Sequence, residues 1–142
     1  MIFGRQYAEV RSQIDVSRET GQNAYWMAVS LGLHTIYTGL AKVFEQIARD
    51  VDGDLNKRSD RWHKDLLKQM AAAIPNIRPA VINERTFQDL EKYLSFRHVV
   101  RNNYAHRLEP EKIDENFQIL ENRYVSLAQQ LNDFCEFLAS VD

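Results

Sequence analysis

The sequence predicts an all-α protein, an antiparallel bundle of about five helices. Apolar residues recur at steps of three and four through most of the 142 residues, which is the spacing of one helix face. No strand-like alternation, internal repeat or low-complexity stretch interrupts this pattern. The length and a hydrophobic content of 44% are sufficient for one core, so we expect a single domain over residues 1–142.

The charge, the single cysteine and the N-terminus limit the classes of protein that fit. The formal net charge is -2 at pH 7, so a nucleic acid would have to bind a local basic cluster. Cys135 lies among apolar residues, and we expect a buried, unreactive thiol. No signal-peptide pattern and no run near the ~18 apolar residues of a membrane span is present. We therefore expect a cytoplasmic protein without a membrane partner.

Two helices are predicted in the first third of the chain. The first has apolar residues at i, i+4, i+7 and i+11, and Gly21-Gln22-Asn23 is expected to end it. Its apolar seam consists of Phe3, Tyr7, Val10 and Ile14. The second helix, from Ala24 to about Val51, carries one broad apolar face and is predicted to be the long central helix.

Three residues beside the face of the central helix could belong to a cleft. His34 and Tyr37 are three residues apart, and Gly39 has no side chain to prevent the close approach of another helix. The structural alternative is a half-buried His34 that is satisfied by a hydrogen bond. The sequence leaves both interpretations open.

The third helix follows a loop that contains glycine, aspartate and asparagine. Ser59 or Asp60 is expected to cap this helix, which should end at Met70 or Ile74. Four apolar side chains are expected to face the core: Trp62, Leu66, Leu67 and Met70. His63 directly follows an inward-facing residue, so we expect it to be a surface or capping residue and not a catalytic one.

The fourth and fifth helices complete the predicted bundle. Pro75 and Pro79 bracket the connection, Asn83 is expected to cap a helix that runs to about Asn102, and Pro110 is expected to help start the last helix. The last helix is predicted from apolar residues that alternate steps of three and four: Ile113, Phe117, Leu120, Tyr124, Leu127, Leu131, Phe134 and Leu138.

The stretch from Phe96 to Pro110 holds the densest group of side chains that can bind phosphate or a base. This group consists of Arg97, His98, Arg101, Asn102, Tyr104 and His106. On an unbroken helix Arg101 and His106 would lie roughly 140° apart. We therefore expect the helix to end at Asn102-Asn103, so that His106 folds back towards Arg101.

An arginine and a histidine can together cleave RNA without a metal ion. The reaction needs a base for the 2′-hydroxyl, an acid for the leaving 5′-oxygen and positive charge on the phosphorane. His106 can act as base or acid near neutral pH, and Arg101 can bind the phosphate with two hydrogen bonds. A two-fold dimer would bring two such pairs into one cleft. No metal or cofactor motif is present, so we expect neither.

A structural interpretation of the same residues is also open. Cations are favoured near a helix C-terminus, so Arg97 or Arg101 could simply bind the last carbonyl groups or pair with Glu91 or Glu109. A plain dimerising helical scaffold would have no use for these arginines and histidines in one neighbourhood.

The stretch from Arg101 to His106 resembles the motif of HEPN-domain ribonucleases, which is an arginine, often a polar residue, three more residues and then a histidine. The residues Phe96 to Asn102, with Leu108 and Pro110 behind them, are similar to the HepT-like group. Two further patterns share this similarity: Leu33-His34-x-x-Tyr37-Thr38-Gly39 and Trp62-His63-x-x-Leu66-Leu67.

The resemblance covers about Ala24 to Leu138 and implies a HEPN-like fold and a toxin of a HEPN/minimal-nucleotidyltransferase toxin–antitoxin pair. The implied activity is metal-independent endoribonuclease cleavage of RNA at a homodimer cleft. Arg101 and His106 match the family's catalytic pair, and the implied antitoxin is a cognate minimal nucleotidyltransferase. The alternative is a non-catalytic helical module that binds a nucleotidyltransferase partner or a nucleotide.

One position departs from the family's pattern. In the best-known members a tyrosine two residues after the histidine accepts a nucleotide from the antitoxin, whereas this chain has Leu108 there. Tyr104 lies inside the motif and could be a substitute acceptor, could stack on a base or could pack under the loop.

Overall fold

A computed structural model describes residues 2–55, 57–58, 61–102 and 109–141, without the side chains of residues 2–3 and 96–102. These ranges contain five α-helices and no strand. The helices are α1 (Ile2–Thr20), α2 (Asn23–Asp50), α3 (Trp62–Ala71), α4 (Glu84–Asn102) and α5 (Pro110–Ser140). The predicted all-α bundle is therefore confirmed. None of these helices is long and apolar enough to cross a membrane.

Local turn and cap residues set most of the helix ends, as predicted. Gly21 follows α1 with a φ of +64°, a left-handed conformation that favours glycine, and its N–H donates to the Ser17 carbonyl over 2.9 Å. The Asn83 side chain caps α4, because its Oδ1 accepts a 2.8 Å hydrogen bond from the Thr86 N–H. Pro110 is the first residue of α5.

Helix α3 begins differently from the prediction and ends at Ala71, next to Met70, which is one of its two predicted ends. Its N-cap position is occupied by Arg61, which makes no side-chain cap hydrogen bond. The predicted caps Ser59 and Asp60 lie outside the described residues. At its other end the chain turns instead of continuing to Ile74, because Ile74 and Arg78 exchange backbone hydrogen bonds of 2.9 and 3.0 Å.

All five helices contribute to one hydrophobic core. The side chains with almost no exposure include Val10, Ile14, Val29, Leu33, Ile36, Phe44, Leu67, Met70, Phe117 and Leu127. The expectation of a buried Cys135 is wrong, because this residue is exposed. It lies about 100° around α5 from Phe134, which is the residue that enters the core there.

A glycine does allow two helices to approach closely, but it is Gly32 and not Gly39. A Cβ atom at Gly32 would lie only 2.4 Å from Cγ2 of Val10, so the α1–α2 contact requires glycine at this position. A Cβ atom at Gly39 would meet no atom within 4 Å in the described part of the chain. The prediction for Gly39 is therefore wrong.

A buried ion pair joins the two connections on either side of α3. The side chains of Arg78 and Asp52 are 0% and 1% exposed, and the guanidinium binds both carboxylate oxygens at 2.6 and 2.8 Å. The remaining N–H groups of Arg78 donate to the carbonyl groups of Gln69, Ala72 and Pro79 at 2.9 to 3.0 Å. All five donors of the guanidinium are therefore used.

The carboxylate of this pair is stabilised in its charged form. Burial raises the pKa of Asp52, but hydrogen bonds from Arg78 and Gln69 lower it, and the result lies below the ordinary value of 3.8. The Gln69 amide donates to Asp52 over 2.8 Å and also to the Asp54 carbonyl over 3.0 Å. The charged carboxylate therefore stabilises the fold above pH 3.8, and this contribution is lost as the pH falls below that value.

We predict that Asp52→Asn strongly destabilises the fold, because it leaves the Arg78 charge buried without a counter-charge. The free energy of unfolding, measured by denaturant titration with circular dichroism, should fall by about 3–5 kcal/mol. The wild-type protein should lose stability as the pH falls towards 3, whereas the variant should lose less over the same range.

The matched control for this prediction is the double variant Asp52→Leu/Arg78→Met, which removes both charges. It should be more stable than Asp52→Asn, because no uncompensated charge remains in the interior. Equal stability of Asp52→Asn and the wild type would contradict the proposed role of the pair.

Candidate functional site

The predicted site lies where α4 ends and α5 begins. The backbone of α4 is helical through Asn102, as predicted, and α5 starts eight residues later at Pro110. The predicted site residues fall in or next to this junction: Arg97, His98, Arg101, Asn102, Tyr104 and His106. The side chains of the first four, and Tyr104 and His106 entirely, lie outside the described residues. The approach of His106 to Arg101 therefore stays a prediction.

A hydrogen-bond network fixes the beginning of α4 to α5. The Gln130 side chain accepts a 2.7 Å hydrogen bond from the Asn83 N–H and donates to the Thr86 hydroxyl over 2.8 Å. The same amide group also donates to the hydroxyl of Ser126 over 2.9 Å. Because these contacts join the cap of α4 to the middle of α5, they set the relative position of the two helices.

Contacts with three helices hold the middle of α4. Arg123 of α5 binds Asp89 at 2.7 to 2.8 Å, and Lys64 of α3 pairs with Glu91 at 2.9 Å. The buried Tyr93 hydroxyl donates to the backbone carbonyl of a residue in α2, Leu33. Burial, with a smaller effect of Tyr37, raises the pKa of Tyr93 well above its usual 10.0, so this donor keeps its proton. The helix is thus anchored before its last two turns begin.

The face of α5 that meets α4 carries a polar residue at every seventh position. Gln130 and Arg123 bind α4 as described, and the third member of the series is Asn116. Asn116 is 3% exposed, and its Nδ2 has no hydrogen-bond partner among the described residues. Because α4 and α5 run antiparallel, Asn116 lies further towards the C-terminal end of α4 than Arg123 does.

Asn116 is a buried polar residue that the sequence interpretation did not single out. The signal that could have identified it is the seven-residue spacing of polar residues within an otherwise apolar series.

An ion pair fixes the first turns of α5. The Arg18 guanidinium of α1 binds both carboxylate oxygens of Asp114 at 2.6 and 3.0 Å, and it lies 5.8 Å from the ring centroid of Phe117. The hydrogen bonds from Arg18 lower the pKa of Asp114. Both helices that flank the candidate site are therefore anchored close to it.

Tyr37, Trp62 and His63, which belong to the two further sequence patterns described above, lie between α2, α3 and α4. The rings of Tyr37 and Tyr93 stack with centroids 5.6 Å apart, and the His63 ring lies 6.4 Å from Tyr37 and 3.5 Å from Trp62. His63 and His34 are both half-buried, so the expected surface position of His63 is wrong. Its ring lies against these aromatic rings because α3 packs on both α2 and α4.

The sequence matches the model of a known protein family. A protein-family model described as "HepT-like protein" matches residues 28–138. This range includes α3, α4 and the whole stretch between α4 and α5. No curated protein and no solved structure matches the chain.

Proposed function

Because the chain belongs to the HepT-like family, we propose that it is a metal-independent endoribonuclease and the toxin of a HEPN/minimal-nucleotidyltransferase pair. The observation that carries this proposal is the sequence from Arg101 to His106 at the end of α4, within the range that the family model matches. The described backbone of α4 reaches Asn102, so Arg101 lies in its last described turn.

The proposed reaction uses the RNA's own 2′-hydroxyl as the nucleophile. A His106 imidazole removes the 2′-hydroxyl proton as the oxygen attacks phosphorus, and a second imidazole gives a proton to the leaving 5′-oxygen. The Arg101 guanidinium stabilises the negative charge of the phosphorane with two hydrogen bonds. The products are a 2′,3′-cyclic phosphate and a 5′-hydroxyl. Arg97, His98, Asn102 and Tyr104 bind the neighbouring phosphates and bases.

The acid and the base of this reaction require a two-fold dimer. Each chain supplies one histidine to the motif, and a two-fold axis brings a second His106 and a second Arg101 to the same cleft. The active species in analytical ultracentrifugation should therefore be a dimer. Full activity in a sample that sediments as a monomer at micromolar concentration would contradict the shared cleft.

We predict that His106→Ala abolishes RNA cleavage and leaves the free energy of unfolding unchanged. General acid–base catalysis contributes typically 10²–10⁴-fold, and the variant removes both the acid and the base from a dimer. The matched variant Arg101→Lys keeps the charge but loses the bidentate geometry, so its rate should also fall by at least about tenfold. Cleavage is measured with end-labelled single-stranded RNA. Wild-type rates in either variant would remove the pair from the mechanism.

The proposed antitoxin is a minimal nucleotidyltransferase that modifies Tyr104. Leu108 has no hydroxyl, and Tyr104 is the only tyrosine between α4 and α5. A nucleotide there would place negative phosphate beside Arg101 and His106 and block the entry of RNA.

We predict that the intact mass increases by one or more nucleotides after incubation with a cognate nucleotidyltransferase, ATP and Mg²⁺. The control is Tyr104→Phe, which keeps the aromatic ring but has no hydroxyl group and should not be labelled. An unchanged wild-type mass, or a label that persists in Tyr104→Phe, would contradict modification of Tyr104.

A further inference from the structure

An open cavity lies where α4 begins, at the end of this helix that is away from Arg101. The cavity has a volume of about 280 Å³ and lies between residues 79–83 and three residues of α5, which are Gln130, Asp133 and Phe134. Asn83 directly precedes α4, whereas Arg101 lies in its last described turn. At a rise of about 1.5 Å per residue, about 27 Å of helix separates Asn83 from Arg101. The cavity is therefore distinct from the proposed arginine of the cleavage site.

Most side chains that line the cavity are apolar, and the two amide side chains among them are already in use. Val81, Ile82 and Phe134 are buried members of the core. The Gln130 amide accepts from the Asn83 N–H and donates to Thr86 and Ser126, and Oδ1 of Asn83 caps α4. An incoming polar molecule would therefore have to compete for these hydrogen bonds. The lining suits an apolar side chain better.

The size of the cavity also favours a protein side chain over a small molecule. Pockets for drug-sized ligands and cofactors have volumes of about 300–1,000 Å³ and enclose most of the ligand. The volume of about 280 Å³ is below this range, and the cavity is open to solvent. An apolar cavity of about 150 Å³ is sufficient for a molecule of benzene. The cavity can therefore hold one or two apolar side chains of a bound protein.

Apolar side chains are exposed on the two segments that form the cavity, residues 72–84 and 129–141, which we call the terminal surface. Ile77 is 48% exposed, Leu138 39% and Val141 56%. The half-buried Phe137 has its ring 5.9 Å from that of Phe134, which lines the cavity. Phe134, Phe137 and Leu138 are three and four residues apart, so the apolar face of α5 continues beyond the cavity. Grouped exposed apolar residues are typical of protein interaction sites.

The exposed charges of the terminal surface are negative. Its exposed carboxylates belong to Glu84, Asp133 and Glu136. Its only cation is Arg78, which is buried in the ion pair described above. A negative rim around an apolar cavity attracts a segment that carries lysine or arginine, and it repels nucleic acid. The charge of the terminal surface therefore favours a cationic protein segment as its ligand.

We propose that the terminal surface is the docking site of a partner protein, which inserts an apolar side chain into the cavity and pairs its lysine or arginine residues with Asp133 and Glu136. The apolar side chain supplies most of the affinity, since exposed ion pairs are weak. The two carboxylates supply selectivity, because they attract a cationic segment and reject RNA and acidic peptides. This docking is independent of RNA cleavage.

The test uses a phage-displayed library of random peptides of about 12 residues. The library is selected on the wild-type protein after removal of phages that bind Ala80→Trp. Ala80 is exposed and lines the cavity, so a tryptophan there should fill the cavity without disturbing the core. Selected peptides should combine a large apolar residue with at least two lysine or arginine residues within about four positions. Failure to select such peptides, or selection of acidic ones, would overturn the proposal.

The affinity of a selected, fluorescein-labelled peptide is then measured by anisotropy at low salt. Ala80→Trp should weaken binding at least about tenfold. Ala73→Trp, which is exposed in the same connection but outside the cavity lining, should keep the affinity within about twofold. The double variant Asp133→Asn/Glu136→Gln should weaken binding about fivefold, and this difference should disappear at about 0.5 M salt. Equal losses in the exposed control pair Glu115→Gln/Glu122→Gln would show an effect of net charge alone and overturn the proposed pairing.

Two further measurements on Ala80→Trp distinguish the proposed partner from other occupants. A change in oligomeric state by analytical ultracentrifugation would assign the terminal surface to a second copy of the chain, and a loss of affinity for single-stranded RNA would assign it to RNA. Either result would overturn the proposal. Ala80→Trp should cleave RNA at the wild-type rate. A wild type that selects cationic peptides but never cleaves RNA refutes only the nuclease, and one that cleaves RNA but selects no such peptide refutes only the docking site.

Discussion

The buried pair of Arg78 and Asp52 is the interaction on which the rest of the arrangement depends. It joins the connection after α2 to the connection before α4, and its remaining donors bind the end of α3. Without it, several buried polar groups in the two connections would lack a hydrogen-bond partner. Because this network holds the end of α3 beside the connection to α4, where the Val81 N–H donates to the Met70 carbonyl, it also helps to fix the start of α4.

The first part of α4 is anchored to the other helices, whereas the residues proposed for RNA cleavage lie after this part. From Thr86 to Tyr93 its side chains bind α2, α3 and α5 through charged or buried hydrogen bonds. A catalytic pair benefits from such a rigid support, since small displacements of an acid, a base or a phosphate-binding group reduce the rate strongly. The Arg18–Asp114 pair gives the start of α5 a similar support.

The sequence was sufficient for the features that depend on local chemistry. Apolar spacing predicted the five helices, and Gly21, Asn83 and Pro110 marked helix ends because their backbone or cap preferences are local. It was insufficient where the outcome depends on packing. Gly32 and Gly39 look alike in the sequence, and only the path of α1 distinguishes them.

Contacts between distant residues were likewise not predictable. Asp52 and Arg78 are 26 residues apart, and nothing in the spacing pairs them. The exposure of Cys135 depends on which face of α5 enters the core in its last turns. At the candidate site the motif spacing and the resemblance supplied Arg101 and His106.

The central claim is that Arg101 and His106 cleave RNA with its own 2′-hydroxyl as the nucleophile. The most direct measurement is analysis of the end groups of single-stranded RNA after incubation with the wild-type protein in excess EDTA. The account predicts undiminished cleavage, with a 2′,3′-cyclic phosphate on one fragment and a 5′-hydroxyl on the other. Cleavage that stops in EDTA and returns with Mg²⁺, or that leaves 5′-phosphate ends, would contradict it.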